Sequence, residues 1–342
     1  MSSISPTFSG SLSRRDWLRF AGVCALGGTM VLAGCKNLQA TGGSFLQPWQ
    51  EHMDWTPERW RSVLSGMKEL GCDSLFLQWV ALEGESMQTW DARGRMLQTL
   101  LDQAANQGMS VHIGLPYNQD WWTAIAQEDI NAVNSYMQSI GKNCIQYMRS
   151  VTWQQHTAFA GWYIPYEIEQ YDWGRQPRLE LLANWLKALS DVAIETTGRE
   201  PSISTYYSEM ASPQALADMW SYLLDRVILR PMVQDGVGVH GLANYERLEP
   251  LHQMLLQRGA NFDLIVELFD MDQDAANVAG EFSAHTAGVD RLRRQWNIAE
   301  GYGAQRIVAF ALEPWASQDS LEGMQLRGIW KAAFRAPQPV SP

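Results

Sequence analysis

Positive charge is in short supply: 26 Lys and Arg stand against 37 Asp and Glu, a net charge of −11 over 342 residues. A surface of that sign repels a phosphate backbone, which excludes nucleic acid as a partner. Cysteine is also rare, with four in the chain and none in a CxxC pair or beside a histidine, so thiolate metal or redox chemistry has no motif to rest on. HExxH, GxxxxGK[ST] and GxSxG are absent, and the six histidines (His52, His112, His156, His240, His252, His285) are scattered. Neither a metal nor a cofactor is therefore expected. What is present is a foldable composition, 46% hydrophobic and 18% charged, unlike that of a disordered chain. Sixteen Trp and eleven Tyr add large flat rings with one polar atom each, suited to a core or to stacking in a cleft.

The first residues read as an address. Ser13-Arg14-Arg15-Asp16-Trp17-Leu18-Arg19 precedes an uncharged stretch of fifteen residues, 20–34, which is short for a membrane span but fits the apolar part of an export signal. The paired arginines resemble a twin-arginine signal. Leu32-Ala33-Gly34-Cys35 resembles a lipobox, in which cleavage leaves Cys35 as an acylated N-terminus. The expected organisation is a signal over 1–34 and one domain over 35–342, lipid-anchored through Cys35 on the periplasmic face of the envelope. Lys36 favours the outer membrane over the inner. Of the other cysteines, Cys24 leaves with the signal, while Cys72 and Cys144 are expected as small buried hydrophobes.

From Gly43 onward no linker or low-complexity stretch interrupts a regular alternation of strand and helix patterns. Strands are expected at 44–48, 75–80, 111–116, 159–168, 202–207, 227–234, 262–269 and 306–312. Thr56-Pro57 and Ser212-Pro213 each supply a cap followed by proline at the first helical position, and Trp60, Leu64 and Met67 recur at helical spacing. The helix before the seventh strand is expected to begin near Pro250. Eight such units predict a single (β/α)8 barrel; a doubly wound sheet is the alternative, because strand count does not prove closure. On the eighth strand Ile307, Ala309, Ala311 and Glu313 share a face whose small side chains suit a barrel interior, so Glu313 is expected to look inward at the mouth. His112 shares the parity of Gly114 and is also expected inside.

Reactive groups of such a barrel sit at the C-terminal ends of strands. Acids stand there: Glu167 and Glu169 after strand four, Asp235 after strand six, Glu267 and Asp270 around strand seven, and Glu313 after strand eight. Two carboxyl groups facing one cleft can divide glycoside cleavage, one neutral to protonate the leaving oxygen and one ionised as nucleophile or base. Trp49, Trp121, Trp122, Tyr166, Trp173 and Trp315 lie near these acids as candidate platforms for pyranose C–H faces, and Gln78 on strand two is a candidate substrate contact. Asp270, Asp272 and Asp274 alternate like the opening of a calcium loop but lack its glycine and closing glutamate, so a solvated loop is expected.

Gly161-Trp162-Tyr163-Ile164-Pro165-Tyr166-Glu167 and Gln234-Asp235-Gly236-Val237-Gly238-Val239 resemble a bacterial family of TIM-barrel proteins of unknown function grouped with clan-A-type glycoside hydrolases. The resemblance implies Glu167 as acid/base, Glu267 as nucleophile and Trp315 as the platform beneath the reacting sugar, with Glu313, Asp235 and Glu169 as substitutes. The clan's Asn before the acid is replaced by Tyr166. The implied function is a glycoside hydrolase acting on an envelope or extracellular polysaccharide; a non-catalytic polysaccharide-binding or assembly lipoprotein is the alternative. A third reading, a dinucleotide-dependent oxidoreductase, rests on Gly236-Val237-Gly238-Val239-His240-Gly241, which matches GxGxxG but follows the sixth strand rather than the first.

Overall fold

The computed structural model describes residues 42–272, 283–317 and 319–335. Eight parallel strands close into a barrel: β1 (Gly43–Leu46), β2 (Ser74–Leu77), β3 (Ser110–Gly114), β4 (Phe159–Ile168), β5 (Ser202–Thr205), β6 (Arg230–Gln234), β7 (Asp263–Glu267) and β8 (Arg306–Phe310). Each neighbours the next in sequence, and β8 returns to β1 through Gly43↔Val308. Long helices lie outside: α1 (Pro57–Lys68), α2 (Met87–Asn106), α3 (Ile130–Ser150), α4 (Arg178–Thr197), α5 (Pro213–Leu224), α6 (Asn244–Arg258), α7 (Val289–Glu300) and α8 (Leu321–Arg335). The cap-plus-proline starts hold, since Thr56 Oγ1 accepts from Arg59 N and Ser212 Oγ from Ala215 N. Helix α6 begins six residues before the expected Pro250, which it carries in its interior.

The apolar core has two shells. The outer one, between sheet and helices, holds Trp60, Leu100, Ile140, Leu186, Trp220, Leu251 and Trp296. The inner one fills the barrel with Phe45, Phe76, Tyr163, Met232, Ile265 and Val308. Below it, at the N-terminal end of the strands, Asp263 accepts from both Arg230 and Arg306, and Arg306 reaches His112 at 2.8 Å. His112 does face inward, stacked on Phe76 at 4.2 Å; burial and then Arg306 push its pKa down to about 3, so it stays neutral as Arg306's acceptor. That end of the barrel is closed, and an open site must lie at the other.

Parity within β8 is the reverse of the expectation: Val308 enters the barrel and Phe310 packs against both shells, whereas Ile307 and Ala309 pack in the helix-facing shell. Just past the strand, Ala311 does join the inner shell as expected. Small residues suited the crowded interior, but the interior is built from rings and Ala309 fits equally under a helix. Cys72 and Cys144 are buried and free, as expected. Cys35 and Asp274 lie outside the described residues. Among the described residues no helix is long and apolar enough to cross a membrane, and no cluster of His, Cys, Asp or Glu could hold a metal ion.

Candidate active site

Strand alternation fixes which side chains crown the inner shell. Glu267 follows inward Ile265 by two residues on β7, and Glu167 follows inward Tyr163 by four on β4. The β4–β5 register slips between Ile164 and Ile168, and Glu167 lies within that irregularity. Gln234, two residues beyond inward Met232 on β6, completes the layer: its Nε2 donates to Glu167 Oε1 at 2.8 Å. Sequence reasoning overlooked Gln234, although its parity with Met232 was there to read.

Both acids are held in place from behind. Trp121 Nε1 donates to the Glu167 carbonyl at 3.1 Å. Glu267 N donates to Asp235 Oδ1 at 3.3 Å, and the Glu267 carbonyl accepts from Arg291 at 3.1 Å and from Gln295 at 3.2 Å. Glu267 Oε2 accepts from the backbone N–H of Gly238 at 2.7 Å. A Cβ at Gly238 would sit 2.5 Å from the Phe269 carbonyl and 3.0 Å from Glu267 Oε2, so glycine is what permits this approach.

The GxGxxG match is thereby accounted for. Val237 N bonds Asp235, Gly238 N bonds Glu267, and the N–H groups of Val239, His240 and Gly241 bond carbonyls within the motif. These five donors are committed inside the protein, so the turn offers no cradle to a pyrophosphate.

Electrostatics favour protonated carboxyls. Burial pushes the Glu167 pKa up to about 7, against the opposing hydrogen bond from Gln234. Burial raises Glu267 too, with Asp235 and Glu167 adding repulsion while Gly238 N–H and Arg291 act to lower it. The charge of Glu167 is the least of the causes that raise Glu267, in keeping with two inward carboxyls at the same end of one barrel.

The substitutes are otherwise employed. Asp235 points outward and its oxygens accept from Val237 N, Tyr245 Oη, Gln295 Nε2 and Glu267 N. Glu169 caps the short helix Gln170–Trp173, accepting from Asp172 N at 2.8 Å and from Tyr171 N. Glu313 leaves the barrel and lines a small cleft with Arg59, Val63 and Met67 of α1 and Arg327 of α8, where burial lifts its pKa to about 7.

Several expected platforms are core residues. Trp121, Tyr166 and Trp173 are fully enclosed in the outer shell, with Trp121 stacked on Trp173 at 5.8 Å and Tyr166 Oη donating to the Pro116 carbonyl at 3.1 Å. Tyr166 sits on the helix-facing side of β4, and the short helices Trp121–Ile125 and Gln170–Trp173 turn the two indoles into the same shell, which hides the rings. Trp315 is 7% exposed and packs on Phe269 at 5.7 Å, leaving little face for a sugar. Trp49 and Trp122 stay half-buried at the rim, edge-on to Trp79 (5.1 Å) and Tyr206 (6.1 Å) respectively. Phe310 is half-buried beside Phe45 and Phe269.

Residues 41–320 match a family model described as a domain of unknown function, DUF4434. A protein of Escherichia coli strain K12, described as uncharacterized protein YbcH, is 25% identical over 212 residues, which are 61% of this chain and 69% of that one. Among solved structures, a Bacteroides thetaiotaomicron protein provisionally assigned as an alpha-L-fucosidase superposes with a TM-score of 0.67 at 16% identity, covering 91% of this chain and 100% of that one. The GH99 endo-alpha-mannosidase of the same organism gives 0.50 at 13%, covering 87% and 98%. A beta-galactosidase from Marinomonas ef1 gives 0.52 at 13%, covering 85% of this chain and 58% of that one. At these identities the likeness establishes a shared fold.

Proposed function

This chain belongs to the DUF4434 family, and from the acids at its barrel mouth we propose that it is a glycoside hydrolase acting on an envelope or extracellular polysaccharide with Glu167 and Glu267. One observation carries the reading: two inward carboxyl groups share a mouth, each raised by burial and Glu267 further by the charge of Glu167. Glu167, with a pKa near 7, holds the proton that the glycosidic oxygen takes as the bond breaks. Glu267 is raised further than Glu167, to about 8, so its role as the charged partner rests on geometry: a backbone N–H donates to it and Arg291 lies near, both of which stabilise its carboxylate once the proton has left. Its free oxygen attacks the anomeric carbon, and Glu167 then takes a proton from the water that releases the sugar. The glycoside hydrolases that share the fold support this class of chemistry.

The test is reducing-end release from a panel of polysaccharides by the domain from residue 36 onward. Glu167→Gln and Glu267→Gln should each abolish turnover while leaving binding intact. Full activity in either variant removes that residue from the mechanism.

A non-catalytic polysaccharide-binding role has one observation in its favour. The position before Glu167 holds Tyr166, whose hydroxyl is turned away to Pro116, so it presents no amide to a bound sugar. Binding without release of reducing ends would select that role. For location, Leu32-Ala33-Gly34-Cys35 supports a lipid anchor at Cys35 on the periplasmic face, with Lys36 pointing to the outer membrane.

A further inference from the structure

The wall of the mouth built by the ends of β1, β2 and β3 contains polar atoms that the described residues leave unsatisfied. Gln78 extends β2, its N–H donating to the Leu46 carbonyl at 2.9 Å, so the alternation that sends Phe76 into the barrel sends Gln78 inward one layer higher. Gln78 is 9% exposed, and its Oε1 is enclosed without a donor. Trp79 is 5% exposed, and its Nε1–H is enclosed without an acceptor. Its ring meets Trp49 edge-on at 5.1 Å and lies nearly parallel to Tyr117 at 5.9 Å. Tyr117 in turn meets Tyr166, the residue before Glu167, with ring centres 5.3 Å apart, and the Glu167 charge, after burial, raises the phenol's pKa. The wall thus runs from the rim to the acid.

A buried carbonyl and a buried indole N–H without partners both oppose folding. The indole N–H groups of Trp60, Trp173, Trp185 and Trp296 are unpartnered too, deep in the outer shell, and Gln78 and Trp79 differ in standing together at the mouth, where a ligand can supply the partners. A sugar hydroxyl is both donor and acceptor and suits either atom. An anionic sugar suits the pair poorly, because the enclosed Gln78 carbonyl oxygen would face a carboxylate oxygen, acceptor against acceptor.

We propose that Gln78 and Trp79, framed by Trp49 and Tyr117, form a subsite beside Glu167 that takes an uncharged pyranose ring through its hydroxyl groups. This assignment rests on the glycoside reading and narrows it to neutral glycans at this subsite.

The experiment uses the Glu267→Gln protein, blocked in turnover, on an array of neutral and uronate-containing oligosaccharides. Gln78→Leu and Trp79→Phe are then made in that background and titrated calorimetrically with the strongest-binding neutral array oligosaccharide. The expected result is binding to neutral glycans, a loss of at least tenfold in affinity for each variant and, for Gln78→Leu, which keeps the side chain's bulk, a melting temperature that stays level or rises. A structural role for Gln78 predicts the opposite thermal response, so a Gln78→Leu melting temperature that falls by several degrees with affinity overturns the proposal. Unchanged affinity in both variants overturns the subsite and leaves the glycoside reading standing. Binding confined to uronate-containing glycans overturns the neutral class. Binding to no glycan overturns the subsite together with the reading beneath it.

Discussion

Gln234 on β6 donates its amide Nε2–H to Glu167 Oε1 on β4 at 2.8 Å, reaching across the intervening β5. A donor to a carboxylate stabilises its charged form, so this bond pulls the Glu167 pKa down while burial lifts it to about 7. Gln234→Leu should let it climb by about one unit, roughly 1.4 kcal/mol. A general acid works while protonated, so the basic limb of the kcat/KM profile should move to higher pH by the same amount. A limb that stays put would show that Glu167 is not the group titrating there.

The same elevated pKa makes stability depend on pH. A carboxyl whose folded pKa lies above its unfolded value binds more protons in the native state, so its contribution is complete below about 4.5 and lost as pH rises through about 7. Glu313, raised to about 7, acts in the same direction. Wild-type protein should melt at a higher temperature at pH 5 than at pH 8. Glu167→Gln should flatten that slope and melt above wild type at pH 8, as thermal melts across the range would reveal.

Gly238→Ala tests how Glu267 is held. The added methyl would press on the Phe269 carbonyl and on Glu267 Oε2, displacing the turn and its N–H donor. We expect a destabilisation of about 1–3 kcal/mol by denaturant titration and a loss of turnover larger than that instability explains. Wild-type activity in a folded variant would show that the Gly238–Glu267 bond is dispensable.

Adjacent tryptophans should behave oppositely. Trp121 is enclosed and bonds the Glu167 carbonyl, so Trp121→Ala should cost about 3–5 kcal/mol. Trp122 is half-buried at the rim beside Tyr206, so Trp122→Ala should keep the fold and show its effect in KM. Equal destabilisation of the two would contradict the burial difference.

Anchoring is checked by fractionation. Cys35→Ser should release the protein into the soluble periplasmic fraction, and Arg14→Lys with Arg15→Lys should block its export. Membrane association that survives the Cys35 change would remove the lipid anchor.

Elements whose evidence is local were legible before any coordinates. Caps and prolines at Thr56-Pro57 and Ser212-Pro213, and the helical spacing after them, mark helix starts because a first turn is satisfied by its own neighbours. Glu167 and Glu267 stood out because each ends an apolar strand. Contacts between distant segments were not legible. Period-two alternation separates the two faces of β8 but is the same whichever one looks inward, and only closure of the barrel put Val308 inside and sent Glu313 out between α1 and α8. Trp121 and Trp122 are chemically identical neighbours; the helices that fold over one and miss the other made one a core residue and the other a rim residue. Gln234 meets Glu167 from 67 positions away. Local propensity encodes where elements begin and which residues share a face, whereas burial and partnership arise when non-neighbouring faces pack, a property no single segment carries.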